Sequence, residues 1–195
     1  MPVSTAFITI SMDTLNLFMT LTNKEQSLLQ KTNISALHQV ALTLGGFLFI
    51  IQFFLFMIYY DFQGLKYVRF IGWLLLIPGF LFIMLSRSTL KEYGASEEGK
   101  SWVFSTELVQ RGVYSIIRHP FSIGWMIMTI GLALVSQYLL SILCVAIQMP
   151  LIAFSIISEE KMNVEKFETE YINYQKSVPM INLFKGLVRY LLERR

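Results

Sequence analysis

Tyr114, Arg118 and His119 stand at the mouth of an apolar run, in the segment Gly112-Val-Tyr-Ser-Ile-Ile-Arg-His-Pro-Phe-Ser-Ile-Gly-Trp125. A later apolar run ends in Ser158-Glu159-Glu160. If the two runs are the arms of a helical hairpin, both polar groups fall on one side of it. Phenol, guanidinium, imidazole and two carboxylates then converge, a set that can grip a charged ligand. Adjacent carboxylates at a helix C-terminus sit against the negative end of the macrodipole, so a positive group must offset them. Lys161, Arg118 or a cationic ligand would serve. Two plainer readings stay open at this point. Arg118-His119-Pro120 also suits a helix cap with a basic interfacial anchor, since Pro is at home in a first helical turn, and Glu159-Glu160 also suits a solvated helix end neutralised by Lys161.

Other chemistries have no motif. His38 and His119 are far apart, no His-Glu-x-x-His spacing occurs, and the one cysteine, Cys144, lies inside an apolar run. No metal site and no intramolecular disulfide are therefore expected. There is no glycine-rich phosphate loop and no nucleophile elbow. The basic residues are dispersed among glutamates and form no stripe, which excludes nucleic acid as a partner.

The elements that must position the polar residues are membrane helices. Apolar residues make up 54% of the 195-residue chain and charged residues 15%, against about 45–50% and about 25% in ordinary globular proteins. The charges are segregated as well. Positions 36–60 and 71–86 carry no Asp, Glu, Lys or Arg, and 121–158 is charge-free over 38 positions, enough for a hairpin at about 20 residues per span. The pattern predicts spans near 36–60, 67–86, 121–136 and 138–158. Ser4–Thr22 is long enough for a fifth span, with an interfacial amphipathic segment as its alternative. The fold class is thus all-α integral membrane, with four to five transmembrane helices and a C-terminal helical hairpin. The organisation divides into an N-terminal arm over 1–35, a transmembrane hairpin over 36–86, and a core over 87–195.

With four spans, Lys and Arg number two before the first span, five in the 87–120 loop and seven after residue 158, against Lys66 and Arg69 alone on the other side. The positive-inside rule places the loop and the C-terminal tail in the cytoplasm. Pro78 and Gly79 are expected to kink the second span. Residues 161–176 read as an amphipathic helix, with Met162, Val164, Phe167, Tyr171 and Tyr174 on one face and Val178-Pro179 as its stop. The tail 183–195 is short, basic and aromatic, suited to an anionic leaflet.

Leu108-Val-x-x-Gly-Val-Tyr114, Arg118-His-Pro-x-x-x-Gly-Trp125, Glu159-Glu160, Phe167-x-x-Glu-Tyr-x-x-Tyr174 and Val178-Pro179, in that order, resemble the isoprenylcysteine carboxyl methyltransferase and phospholipid methyltransferase superfamily of integral membrane enzymes. The resemblance covers about residues 87–185. It implies S-adenosyl-L-methionine as cofactor, in a cytosol-facing pocket under a lid made by the C-terminal tail. Carried over by position, it puts cofactor contacts on Thr106, Glu107, Leu108 and Val109, on Tyr114, on His119, Pro120, Phe121 and Ser122, and on Glu159. Arg118 is expected to orient the pocket by pairing with an acidic residue or the cofactor carboxylate, and Glu160 or His119 to assist where an amine or thiol acceptor must lose a proton. A carboxylate such as Glu159 suits a ligand carrying a sulfonium and an ammonium. The implied acceptor is a lipophilic small molecule or lipidated substrate, drawn from among the membrane lipids and their neighbours: a carboxylate, a phospholipid amine or a thiol.

Two positions depart from the pattern. Phe121-Ser122 brings the aromatic residue one place early, and Ser155 stands where the prenylcysteine enzymes carry an arginine that faces the substrate carboxylate. The phospholipid-amine and small-thiol branches need no such arginine. Two alternatives are an NADPH-dependent sterol-reductase-like enzyme, which shares the Arg-His-Pro motif and the hairpin, and a non-catalytic membrane scaffold.

Overall fold

The computed structural model describes residues 36–59, 64–94 and 107–193. The segment Ser4–Thr22, the rest of the 1–35 arm and Thr106 lie outside the described residues. By contacts the chain divides into two units, Met1–Val40 and Ala41–Arg195. Of the first, only the opening of a helix is described. The second holds everything discussed below.

The described residues form helices joined by short non-helical segments, with no strand among them. Helix α1 is Ala36–Tyr59, α2 is Lys66–Tyr93, α3 is Pro120–Ser136, α4 is Leu139–Ser177 and α5 is Leu183–Glu193. A 3-10 turn over Gly112–Ser115 precedes α3. Three helices, α1, α2 and α4, are long and apolar enough to cross a membrane, which marks an integral membrane protein. Helix α3, expected as a fourth span, is apolar but has 17 residues, at the lower limit for a crossing.

The bundle is built inside out relative to a water-soluble one. Its outer faces carry Phe47, Phe54, Ile58, Phe70, Ile77 and Ile157, all exposed, as suits a surface solvated by lipid. Its inner contacts are small and polar, because without a hydrophobic drive between helices close backbone approach and hydrogen bonds must hold them. Gly72 and Gly79 of α2 meet Gly131 and Gly124 of α3 in antiparallel order. A Cβ on Gly79 would come within 3.2 Å of the Gly124 carbonyl oxygen, and one on Gly124 within 2.8 Å of that of Gly79. The same repeat continues to Ser86, fully buried one heptad below Gly79. The α2–α3 seam therefore leads from glycine contacts directly to the polar end of the bundle. Helix α2 runs unbroken through Pro78.

Helix α1 lays Gly45, Phe49, Gln52 and Phe56 along the bundle. Phe49 meets Trp125 edge to face, and Phe56 packs on Leu132, Val135 and Trp73. Gln52 is fully buried and ties three helices together. Its amide nitrogen donates to the Thr129 carbonyl at 2.7 Å, while its amide oxygen accepts from Gln148 at 3.0 Å and from the Thr129 hydroxyl. At the end remote from Arg118, Gln137 closes α3 in the left-handed conformation, φ 50°. Its side chain exchanges two hydrogen bonds with the Leu65 backbone, of 2.8 and 3.0 Å. The α3–α4 connection is the two residues Gln137 and Tyr138.

The expected amphipathic helix over 161–176 is a continuation of α4, interrupted at Glu168, where φ is 48° and ψ −124°. That break turns Tyr171, Tyr174 and Val178 into a buried cluster, against which Leu108, Val164 and Phe167 pack.

Candidate functional site

The fold-back after Glu168 explains how the polar residues meet. Pro120 occupies the first turn of α3, where its missing N–H costs nothing, and His119 is the residue just before the helix. The backbone of this corner is tied to the returning chain: Arg118 N–H donates to the Pro179 carbonyl at 3.1 Å and His119 N–H to that of Met180 at 3.2 Å. Arg118 also donates through Nη1 to the carbonyls of Gln175 at 2.9 Å and Val178 at 2.6 Å. The Tyr174 hydroxyl donates to the Tyr114 carbonyl at 2.6 Å, so the 3-10 turn is fixed to the same segment.

Glu160 is the hub. It accepts from Arg118 Nε at 3.0 Å and Nη2 at 2.9 Å, from His119 Nε2 at 2.6 Å, from Tyr171 at 2.9 Å and from Gln175 at 2.7 Å. Two carboxylate oxygens offer about four lone pairs, so this group has no capacity left for a ligand. Glu159 differs. Its Oε2 lies 3.3 Å from His119 Nδ1, and its side chain is 34% exposed against 13% for Glu160. The Ser155 hydroxyl approaches it at 3.5 Å. Of the two adjacent carboxylates, one is locked into the protein and the other still reaches solvent.

His119 sits between them with both ring nitrogens facing carboxylates. Burial alone would lower its basicity, but the hydrogen bonds to Glu159 and Glu160 outweigh burial and hold its pKa above the ordinary 6.5. In its protonated form the ring donates from both nitrogens. Arg118, His119, Glu159 and Glu160 then carry two positive and two negative charges, which removes most of the cost of burying them together. Tyr114 completes the rim: its phenol bonds to Ser86, and burial together with the nearby Glu159 charge pushes its pKa up, keeping it a neutral donor.

The remaining expected residues fall in two places. Ser122 is buried in the first turn of α3, and Phe121 packs edge to face on Trp125 at 6.1 Å between ring centres. Glu107, Leu108 and Val109 line a hollow of about 470 Å³ with Glu92, Tyr93, Gln110 and Arg111. Leu108 also touches the Tyr171–Tyr174–Val178 cluster, which links that hollow to the fold-back. No group of three or more potential metal ligands occurs among the described residues.

Tyr171, Gln175 and Ser86 are the site residues that sequence reasoning missed. In the sequence Tyr171 offers an apolar ring on one face of 161–176; its hydroxyl reaches Glu160 because the helix breaks at Glu168, for which Glu168-Thr-Glu170 gives no turn signal.

A family model for phospholipid methyltransferases matches residues 67–170. The matched stretch contains Tyr114, Arg118, His119, Glu159 and Glu160 and stops one residue before Tyr171. No curated protein and no solved structure matches the chain.

Proposed function

The chain belongs to the phospholipid methyltransferase family, and on that premise we propose that it transfers a methyl group from S-adenosylmethionine to a membrane-partitioned acceptor, a phospholipid amine. The observation that carries this reading is the division of labour between Glu159 and Glu160. A buried cluster presents one partly exposed carboxylate beside a buried imidazole, an acceptor that fits the positive groups of a small cation.

Glu159 would hold the positive groups of the cofactor, with Tyr114, His119, Pro120, Phe121 and Ser122 around it, and Glu107, Leu108 and Val109 would contribute from the hollow they line with Arg111. When bound, the cofactor supplies a methyl group already activated on a sulfonium. The protein's part is positioning and exclusion of water. His119 orients Glu159 through Nδ1. Arg118 and Glu160 fix the imidazole and the returning chain, so we assign them to positioning. A protonated amine acceptor must shed its proton before attack. Glu159 is the carboxylate with exposure to receive it.

An amine is favoured over a carboxylate acceptor by Ser155. This position is buried beside Glu159 and offers no cation to a substrate carboxylate. With four spans, fourteen basic residues fall on one side, and the positive-inside rule favours the cytoplasmic face for the site.

The test is calorimetric binding of S-adenosylmethionine, S-adenosylhomocysteine and NADPH to the detergent-purified chain and to Glu159→Gln. Binding of both adenosyl ligands, weakened at least tenfold in the variant, supports the reading and justifies assays with phosphatidylethanolamine, thiol and prenylcysteine acceptors. Binding of NADPH alone moves the protein to the reductases. Silence from all three leaves the scaffold.

A further inference from the structure

Helix α5 carries an apolar face that nothing in the described structure covers. Phe184, Leu187, Val188, Leu191 and Leu192 are all exposed, Phe184 at 80%, and their spacing puts them on one side of the helix. An open hollow of about 530 Å³ lies along Phe184, Lys185, Val188, Arg189 and Leu192, apolar with two basic side chains at its edge. Between 183 and 195 the charged residues are Lys185, Arg189, Arg194 and Arg195 against Glu193 alone.

The helix is also held at a defined depth. Gly186 is buried so closely on the 3-10 turn that a Cβ there would collide with the Ile116 carbonyl oxygen, and Arg189 donates to the Ser115 carbonyl. That turn ends only a few residues before Pro120, where α3 enters the apolar layer. An apolar face fixed at the membrane boundary, flanked by cations, fits one kind of partner.

We propose that α5 is an interfacial helix that lies on an anionic leaflet, its hollow taking a lipid acyl chain and its basic residues the phosphate headgroup. Through Gly186 and Arg189 this contact presses on residues 112–116 and so on Tyr114 at the rim of the site. A second copy of the chain is the poorer partner, because two α5 faces would oppose their cations. This lipid contact depends on the placement of α5 and not on the reaction.

The full chain is reconstituted in nanodiscs of phosphatidylcholine, with and without phosphatidylglycerol, and amide hydrogen exchange is followed in α5 and in 112–119. Phosphatidylglycerol slows exchange in both segments. In Lys185→Gln/Arg194→Gln/Arg195→Gln the difference fades, each lost cation weakening the lipid contact roughly fivefold. In Gly186→Leu, α5 stays protected while 112–119 no longer responds. Equal protection in both lipids, or an unchanged response in the triple variant, overturns the proposal. So does protection that tracks the number of chains per disc, which would indicate a second copy, or protection reproduced by inorganic phosphate in phosphatidylcholine discs.

Discussion

Arg118 and Glu160 meet as a two-pronged ion pair, Nε to Oε1 at 3.0 Å and Nη2 to Oε2 at 2.9 Å. The third guanidinium nitrogen is engaged by the Gln175 and Val178 carbonyls. One side chain thus joins the mouth of α3, the middle of α4 and the returning segment. The planar fork makes this possible; an ammonium on a flexible stem cannot reproduce it.

Arg118→Lys is therefore expected to free the returning segment while keeping the charge. Removing one partner of a buried pair costs about 3–5 kcal/mol, and Arg118→Ala should approach that loss. Limited proteolysis checks it: cleavage between 168 and 182 should appear in both variants well below the temperature at which the wild-type chain is cut. A lysine variant as resistant as wild type would show that the fork is dispensable.

The two glutamates should separate cleanly. Glu160→Gln removes the negative charge shared by Arg118 and His119 and turns one acceptor oxygen into a donor facing donors, and should lower thermal stability strongly. Glu159→Gln removes a partly exposed ion pair worth at most about 1 kcal/mol, so its stability should stay near wild type while adenosyl-ligand binding is lost. Thermal unfolding in detergent alongside calorimetry reads both. Equal destabilisation by the two changes would contradict the assignment of Glu159 to the ligand.

The charged state of His119 gives the cluster a pH signature. Its folded pKa is raised above 6.5 by Glu159 and Glu160, against the opposing effect of burial. The folded state then binds a proton that the unfolded chain releases more readily. The contribution is complete below pH 6.5 and declines as pH rises through the higher folded value. Melting temperature should fall on the alkaline side in the wild-type chain, and the fall should flatten in His119→Gln. A profile unchanged by the substitution would mean that the ring is neutral in the folded protein.

Much of this arrangement is legible in the sequence because it rests on composition and local chemistry. The charge-free runs announce the spans, and Pro120 after Arg118-His119 announces where α3 begins. The seam between α2 and α3 is less visible. Gly72, Gly79, Gly124 and Gly131 repeat at heptad spacing, but only the fold shows that they interlock in antiparallel order. The two roles of Glu159 and Glu160 are not legible at all. Adjacent identical residues point in different directions on a helix, and which one is saturated depends on Tyr171 and Gln175 arriving from beyond the break.

Gln52 tests the membrane interior. Its amide serves Thr129 and Gln148 on two other helices, with no water to take over if it is lost. Gln52→Leu should destabilise the bundle by about 1–2 kcal/mol, near the upper range for polar contacts between membrane helices. Double-mutant cycles with Gln148→Leu should show coupling between the two positions. Additive losses would mean that the amides do not act together.

Glu168 supplies the sharpest test of the fold-back. Its φ of 48° and ψ of −124° lie close to the first central position of a type II′ turn, where glycine is favoured and a side chain is not. A strained backbone of this kind costs on the order of 1–3 kcal/mol, and here the bonds of Tyr171, Tyr174 and Gln175 offset it. The Glu168 side chain is exposed, so its removal loses little. Glu168→Gly should raise the unfolding free energy by about 1 kcal/mol, whereas Glu168→Ala, which keeps the Cβ, should gain nothing. Unfolding of both variants in detergent distinguishes them. A glycine variant less stable than the alanine one would mean that α4 runs straight through residue 168, and Tyr171 and Gln175 would then be unable to reach Glu160.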